Sequence, residues 1–249
     1  MRQLTLRATA GYFIKGLVGL RTIRGHTFVH RAICRESTVL DFGCNVGHFS
    51  RDIQRAYGCS PIAIEANPML ANALRREGLC VHNVAICDHD GQIEFMVSGN
   101  SEASSILSSI ASSGGIVTRL LVAASTLRTF ITDNKLKAIA LMKLDIEGAE
   151  LSVIEQMTNE DVLPQQIAVE FHDFMDPSQA PRVQSCIRQL KSLGYVYVNS
   201  TLPSHTDCLF VHKSMFKGLA GAWTRTQLRL LTTFFRYRAV VKEWRDKSR

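Results

Sequence analysis

Nowhere does this chain carry the roughly 18–20 uninterrupted apolar residues of a spanning helix, so a transmembrane protein is not expected. It has no C-x-x-C pair, no internal repeat and no long linker. Its seven cysteines, at 34, 44, 59, 80, 87, 186 and 208, are scattered and odd in number. Several, such as Cys80 and Cys87, sit in apolar runs, which reads as buried, reduced thiols in a cytoplasmic protein. A secretory leader is not expected either. The apolar stretch GYFIKGLVGL is broken by Lys15, and no small-residue cleavage site comes after it. The first 35 residues contain no acid at all, against seven Lys/Arg.

What is present is an ordinary globular composition. Of 249 residues, 46% are hydrophobic and 20% charged, which excludes collagen-like, low-complexity and wholly disordered chains. The net charge of +7 is unevenly spread. Residues 213–249 carry ten Lys/Arg and two acids, and residues 36–212 keep twelve Lys/Arg against twenty acids. This divides the chain into a basic helical arm over 1–35, a domain over 36–213 with an acidic body, and a basic amphipathic helical arm over 214–249. Such arms suit an anionic surface: membrane lipid, nucleic acid or a partner protein.

The body alternates β-branched runs with helical patterns. TVLDFG (38–43), PIAIEA (61–66), LCVHNVAIC (79–87), AIALMKLDIEG (138–148) and QIAVEFHDF (166–174) read as strands. Helices are expected over 46–57, 68–78, 149–157 and 185–194. GQIEFMVSG (91–99) reads as a hairpin-like extension, and the Ser/Gly-rich stretch 100–115 as a loop. YVYVN (195–199) and DCLFVHK (207–213) finish as an antiparallel pair. The pattern predicts an α/β fold: a doubly wound, mostly parallel Rossmann-like sheet with an antiparallel edge. Ligands of such sheets bind at the carboxyl ends of the strands.

The first strand runs into Asp41-Phe42-Gly43-Cys44-Asn45-Val46-Gly47. This D-x-G-x-x-x-G differs from the dinucleotide G-x-G-x-x-G. Gly43 allows a tight turn and Gly47 a close approach of the next helix. Asp41 disfavours a pyrophosphate and suits an ammonium or sulfonium, which argues against an NAD-dependent oxidoreductase. Glu65, 24 residues on and followed by Ala66, stands where a carboxylate accepts from a ribose diol. A solvated strand-end glutamate is the plain alternative. Asp145, Glu147 and Glu150 crowd one strand end beside Gly148. Glu147 and Glu150 suit a helix N-terminus, whereas Asp145 still belongs to the strand. His172, after Glu170 and Phe171, suits a general base or a mere strand cap.

The segments VLDFGCNVGHFS, AIEANP, NVAICDHDGQIEF, LMKLDIEGAELSVIEQM and QIAVEFHDF resemble the FkbM-type family of class I S-adenosylmethionine-dependent methyltransferases. The resemblance covers about residues 38–200, and the D-I-E-G-A-E block is its specific part. It implies a seven-stranded sheet, S-adenosyl-L-methionine as cofactor, and methyl transfer to a hydroxyl of a sugar, glycan or natural product. Ala66 stands where many relatives have proline. On this reading Asp41 faces the methionine end of the cofactor, and Gly43, Cys44, Asn45 and Gly47 form a backbone cradle. Glu65 and Ala66 adjoin the ribose, and Asn83, Val84 and Ala85 lie near the adenine. Asp145 lies on the methionine or acceptor side, and His172, Glu147 and Glu150 are open alternatives for the proton transfer. Asp145, Glu147 and His172 match no recognised metal-ligand spacing, so no metal is expected. The alternative function is a non-catalytic adaptor of the same fold, with arms that bind membrane or nucleic acid.

In the C-terminal arm Trp223, Leu230, Phe234, Tyr237, Val241 and Trp244 recur on one helical face. Arg225, Arg229, Arg236 and Lys242 lie largely off it. This suits peripheral contact with an anionic membrane, reinforced by Tyr12 to Ile23. It equally suits helices that pack on the sheet or on a second subunit. The tail is too apolar for a simple nucleic-acid arm.

Overall fold

The structure, a computed structural model, describes residues 15–16, 19–98, 116–159, 161–202 and 204–247. Within these, the side chains at 98, 116–117, 218–221, 223–224, 238 and 240–247 are not described. The expected loop over 100–115 and the stripe residues Trp223, Val241 and Trp244 therefore lie outside what is described.

Strands β3 (Val39–Phe42), β9 (Leu141–Leu144) and β10 (Gln166–Val169) are buried at every residue. Strands buried at every position belong in a parallel sheet covered on both faces, and the one polar residue in each, Asp41, Lys143 and Gln166, is buried with them. With β4 (Ile62–Ile64), β5 (Cys80–His82), β11 (Tyr195–Asn199) and β12 (Cys208–His212) they form a seven-stranded sheet. Its order is β11-β12-β10-β9-β3-β4-β5. Pairing is parallel from β5 across to β10, and β12 runs antiparallel to both β10 and β11. This is the expected doubly wound α/β sheet, with its one antiparallel strand a place in from the edge. The chain winds outward from β3 to β5 and then returns to β9. That reversal opens a crevice at the carboxyl ends of β3 and β9.

Helix α1 (His48–Tyr57) comes after β3, and α2 (Pro68–Arg76) after β4. The start of α2 is set by Asn67, whose side chain accepts from Met69 N at 3.0 Å, with Pro68 in the first turn. Helices α3 (Leu127–Asp133), α4 (Glu150–Glu155) and α5 (Ala180–Ser192) cover one face of the sheet. There Phe130, Leu151, Ile154, Ile187 and Leu190 meet Phe42, Met142, Leu144 and Ile167. On the other face Val39, Leu141 and Ala168 meet Phe49 and Ile53 of α1, together with Ile23 and Phe28.

Those last two residues correct the expectation of a helical arm over 1–35. Its described part contains a β-hairpin, β1 (Leu20–Ile23) and β2 (His26–Val29). Arg24 and Gly25 both take positive φ, 49° and 87°, the two-residue turn whose twist suits a hairpin. Thr22, Ile23, Thr27, Phe28 and Val29 favour strand over helix. Fully buried Gln166 accepts from Val29 N at 2.6 Å, and Asp207 accepts from Thr27 N at 2.9 Å. Lys15 closes the join, its Nζ 3.0 Å from Asp207 Oδ2 and 2.8 Å from Thr27 Oγ1. The lysine that breaks the apolar N-terminal stretch is thus a buried cation that ties the hairpin to the sheet.

The predicted strand over 79–87 is two strands in two sheets. After β5 the chain turns at Asn83, and β6 (Ala85–Ile86) joins a second sheet. Its partners there are β7 (Gly91–Ser98), the expected extension, and β8 (Ile116–Ser125), for which the residue pattern carried no signal. The order of this sheet is β6-β8-β7. Cys80 is exposed, as is Cys34, while the other five cysteines are buried; all seven are free.

Helix α6 (Gly218–Lys247) is 30 residues long. It packs through Leu228, Leu231 and Phe235 on Val196, Val198, Leu209 and Val211. Leu230 and Tyr237, from the expected apolar stripe, are 67% and 68% exposed. The packed face is therefore a different one. Among the described residues no helix is long and apolar enough to cross a membrane.

The buried ion pair predicts a specific cost. Asp207→Ala leaves Lys15 without its carboxylate and should lower stability by about 3–5 kcal/mol in urea unfolding. Asp52→Ala, which breaks surface pairs with Arg24 and Arg55, should cost about 1 kcal/mol or less.

Candidate active site

The cleft is assembled from residues just beyond the carboxyl end of each parallel strand. Gly43, Cys44 and Asn45 come after β3; Glu65 and Ala66 after β4; Val84 and Ala85 after β5; Asp145 and Glu147 after β9; Glu170 and His172 after β10. Together with His26 and Phe95 from outside the main sheet, they line a cleft of about 540 Å³. That is ample for a nucleoside-sized ligand.

One end of the cleft is a backbone cradle. Gly43 has φ 74°, and a Cβ there would run into the carbonyl oxygen of Asp145. Only glycine lets β3 and β9 come this close at their ends. Gly43 N and Cys44 N donate to Ile64 O at 3.0 and 3.1 Å. Asn45, also left-handed at φ 47°, donates its N–H to Glu65 Oε2 at 2.8 Å. Glu65 Oε1 accepts from Asn67 N, also at 2.8 Å. The carboxylate is 7% exposed, and burial pushes its proton affinity up against these two hydrogen bonds. Its orientation is fixed, and each oxygen keeps a lone pair for a ligand. The buried Asn45 Oδ1 has no partner among the described residues.

Gly47 and Asn83 serve the cradle from behind. A Cβ on Gly47 would lie 2.8 Å from Leu74, and Asn83 Nδ2 donates to Glu65 O and Ala66 O at 2.8 and 2.9 Å. Asp41 is also behind the wall. It is fully buried, accepts from Ser50 Oγ at 2.7 Å, and stands 3.0 Å from Lys143 Nζ. Asp41 was expected to face the methionine end of the cofactor; it does not line the cleft, and Lys143 does.

Lys143 was not singled out from the sequence. It sits two residues before Asp145, and so on the same face of β9. Its Nζ donates to Gly43 O at 2.9 Å and stands 3.4 Å from Asp145 Oδ2. Burial opposes its charge, but Asp41 and Asp145 outweigh burial and keep it protonated. Burial likewise opposes the charge of Asp145, yet Lys143 and His26 hold that carboxyl well below the usual range.

The other end of the cleft gathers acids and imidazoles. His172 Nε2 lies 3.2 Å from Glu147 Oε2 and 3.8 Å from Asp145 Oδ1. Its Nδ1 lies 3.2 Å from Glu150 Oε1. Burial would lower the His172 pKa, but Glu147 and Glu150 push it up to about 11. The ring is therefore an imidazolium at neutral pH and has no free lone pair to act as a base. Glu150 lies outside the cleft wall, 1% exposed, accepting from Ile146 N at 2.8 Å and Gly148 N at 3.0 Å. Burial raises the carboxyl pKa of both Glu147 and Glu170. His26, missed from the sequence because nothing local marks it, is brought in by the hairpin. Its Nε2 lies 3.4 Å from Asp145 Oδ2, and its ring meets Phe49 edge-on.

A family model, the methyltransferase FkbM domain, matches residues 41–197, well over half of the chain. The chain belongs to the FkbM methyltransferase family. An FkbM domain uses S-adenosylmethionine as methyl donor, and the family match sets aside the dinucleotide oxidoreductase. The cleft fits that donor: a pinned carboxylate, an unpartnered Asn45 oxygen and a cradle closed to side chains lie along one wall. No curated protein sequence matches the chain. Among solved structures it is similar to a SAM-dependent methyltransferase from Aquifex aeolicus. Identity is 13% over 72% of this chain and 82% of that one, with a TM-score of 0.34. It is also similar to precorrin-6y C5,15-methyltransferase from Geobacter metallireducens. Here identity is 10% over 85% of this chain and 89% of that one, with a TM-score of 0.32.

The lysine has a measurable role in the fold. Lys143→Met leaves Asp41 buried without a counter-charge and should cost about 3–5 kcal/mol in chemical denaturation. Adding Asp41→Leu should return a large part of that loss, since an apolar pair needs no compensation.

Proposed function

We propose that this FkbM protein methylates a hydroxyl group on a sugar, glycan or natural-product acceptor. The observation that carries this reading is the acid-rich wall beside the cradle. Asp145, Glu147 and Glu170 present carboxylates into the cleft, and carboxylates are natural acceptors for the hydrogen bonds of a polyol. Bound S-adenosylmethionine supplies an electrophilic methyl group on a sulfonium.

Glu65 accepts from the ribose hydroxyls, and Gly43, Cys44, Asn45 and Ala66 line the cofactor, with Gly47 behind them. Val84 and Ala85 flank the adenine, and Asn83 holds that wall in place. Lys143, Asp145, Glu147 and His172 stand on the acceptor side. Their task is to align the acceptor oxygen with the methyl carbon and exclude water. The cofactor would supply its methyl carbon to that oxygen and keep the electron pair of the carbon–sulfur bond. The hydroxyl proton leaves to the carboxylates facing the cleft. His172, held between Glu147 and Glu150, orients rather than abstracts.

Two measurements test this reading. Methyl-labelled S-adenosylmethionine offered with hydroxyl, amine and carboxyl acceptors should label the hydroxyl class as an alkali-stable ether. Label confined to amines or carboxyls, or the absence of transfer to any class, refutes it. Calorimetry should show Glu65→Ala binding S-adenosylmethionine about 1.5–3 kcal/mol more weakly, with melting followed in parallel because Glu65 also pins the loop.

We further propose peripheral contact with an anionic membrane through α6. Leu230 and Tyr237 are exposed on one side of the helix, with Phe234 half-buried between them, and Arg225, Arg229 and Arg236 are exposed beside them. A basic helix with an uncovered apolar stripe suits the lipid interface. Because Leu228, Leu231 and Phe235 belong to the core, the informative variant is Leu230→Ala with Tyr237→Ala, not a deletion. Flotation with acidic liposomes should be strong at low salt, weaker at high salt, and reduced severalfold in the double variant. Full-length protein that stays below the liposomes at low salt refutes the contact.

A further inference from the structure

The acceptor end of the cleft gathers a donor set that can do more than hydrogen-bond an acceptor. Asp145, Glu147 and His172 each offer one ligand atom, all within 4.8 Å of one another. One imidazole nitrogen and two carboxylate oxygens are ligands that divalent ions such as Mn²⁺ and Mg²⁺ accept.

Three further features bear on that set. First, the His172 side chain is 5% exposed, and Glu150 stands 3.2 Å behind its Nδ1. Glu150 is itself fixed by two backbone N–H groups. A carboxylate behind an imidazole orients the ring of a metal-ligating histidine and aims Nε2 outward; here Glu150 acts by proximity of charge, since Nδ1 makes no hydrogen bond. Second, His26 is 3% exposed, with no hydrogen bond at Nδ1, and aims Nε2 at Asp145 from the opposite side. Third, four acids, Asp145, Glu147, Glu150 and Glu170, meet at this end of the sheet. The nearby Lys143 is shared between Asp41 and Asp145, and His172 is itself enclosed by Glu147 and Glu150. A low-dielectric site with this excess of negative charge favours a cation.

Asp145 belongs to two such sets, the other formed with His26 and Glu170. Its two oxygens separate them. Lys143 and His26 stand 3.4 Å from Oδ2, where the ammonium repels an ion. Oδ1 faces His172.

We propose that Asp145, Glu147 and His172 bind one divalent cation of the Mn²⁺ or Mg²⁺ class at the acceptor end of the cleft. The proton shared between His172 and Glu147 then gives way to an ion shared by all three side chains. The ion holds the oxygen of the acceptor hydroxyl and polarises its O–H bond. That role rests on the hydroxyl-acceptor reading; the binding itself does not.

The test uses the full-length protein, stripped with a chelator and titrated with Mn²⁺, with the free aquo ion followed by electron paramagnetic resonance. One Mn²⁺ per chain is expected. Glu147→Gln and His172→Gln should each weaken binding by about tenfold or more, and Glu170→Gln should leave it nearly unchanged. Binding of S-adenosylhomocysteine and thermal melting report whether each variant is folded. Wild-type protein that takes up no stoichiometric Mn²⁺ overturns the proposal, as does unchanged affinity in both the 147 and 172 variants. A loss confined to Glu170→Gln also overturns it, because the ion then sits on the other oxygen of Asp145. Should both variants fail to fold, nuclear relaxation in the wild type decides. Mn²⁺ must broaden the His172 ring resonances before those of His212, which lies at the opposite end of the sheet, and the reverse order refutes the site. S-adenosylhomocysteine binding without Mn²⁺ binding removes the metal and leaves the methyl-transfer reading intact. Stoichiometric Mn²⁺ without methylation of any hydroxyl does the opposite.

Discussion

The Lys143 ammonium stands where the two halves of the doubly wound sheet part. It reaches Asp41 at the end of β3, Asp145 just beyond β9 and the carbonyl of Gly43 in the turn between them. A charge this deeply buried is tolerated only because it has two carboxylates and a carbonyl to answer it. In return it holds the loop after β3 against the end of β9. The cradle residues 43–45 and the acidic wall of the cleft share this anchor. Glu65, pinned by the N–H groups of Asn45 and Asn67, extends the same order one strand further out.

The electrostatics of the cleft derive from this arrangement. Asp145 is kept ionised by Lys143, so it stays an acceptor. Glu147 and Glu170 lie farther from that positive charge and are drawn toward their protonated forms by burial. His172, enclosed by acids, is likewise shifted up, which for an imidazole favours the charged form. Carboxyls of one cleft are thus shifted in opposite directions, Asp145 down by its nearby cations and Glu147 and Glu170 up by burial. A histidine beside acids looks like a base in a sequence, yet here it carries a tightly held proton.

The strand–helix alternation was legible because β3, β9 and β10 are apolar at nearly every position, the mark of strands covered on both faces. The glycine turn, Glu65 and the acid block were legible because each comes directly after such a strand. Asp41 was misplaced for a physical reason. Asp41 and Lys143 are register partners on β3 and β9 and share one face; the short carboxylate stays buried there, while the longer lysine reaches the cleft lining. The pairing of Asp41 with Lys143 spans about a hundred residues of chain, and no local pattern reports it. The hairpin over 20–29 was hidden by basic residues that suggested a free arm, although Arg24-Gly25 between β-branched residues is itself a turn signal. In α6 the periodicity was real but ambiguous, since one helix carries an apolar stripe that is buried and another that is not.

The β1–β2 hairpin lies wholly outside residues 41–197, yet it delivers His26 into the cleft opposite the cradle. Its attachment through Gln166, Asp207 and Lys15 uses side chains on β10, just before β12, and at the N-terminal end of the described chain. None of these touches the cofactor cradle. The lining of one cleft is therefore drawn from two separately encoded stretches of chain. Most of it, the cradle included, is written inside the family domain, and His26 is written ahead of it. If the acceptor binds beside Asp145 as proposed, a change of hairpin would alter that side of the cleft and leave the cradle as it stands.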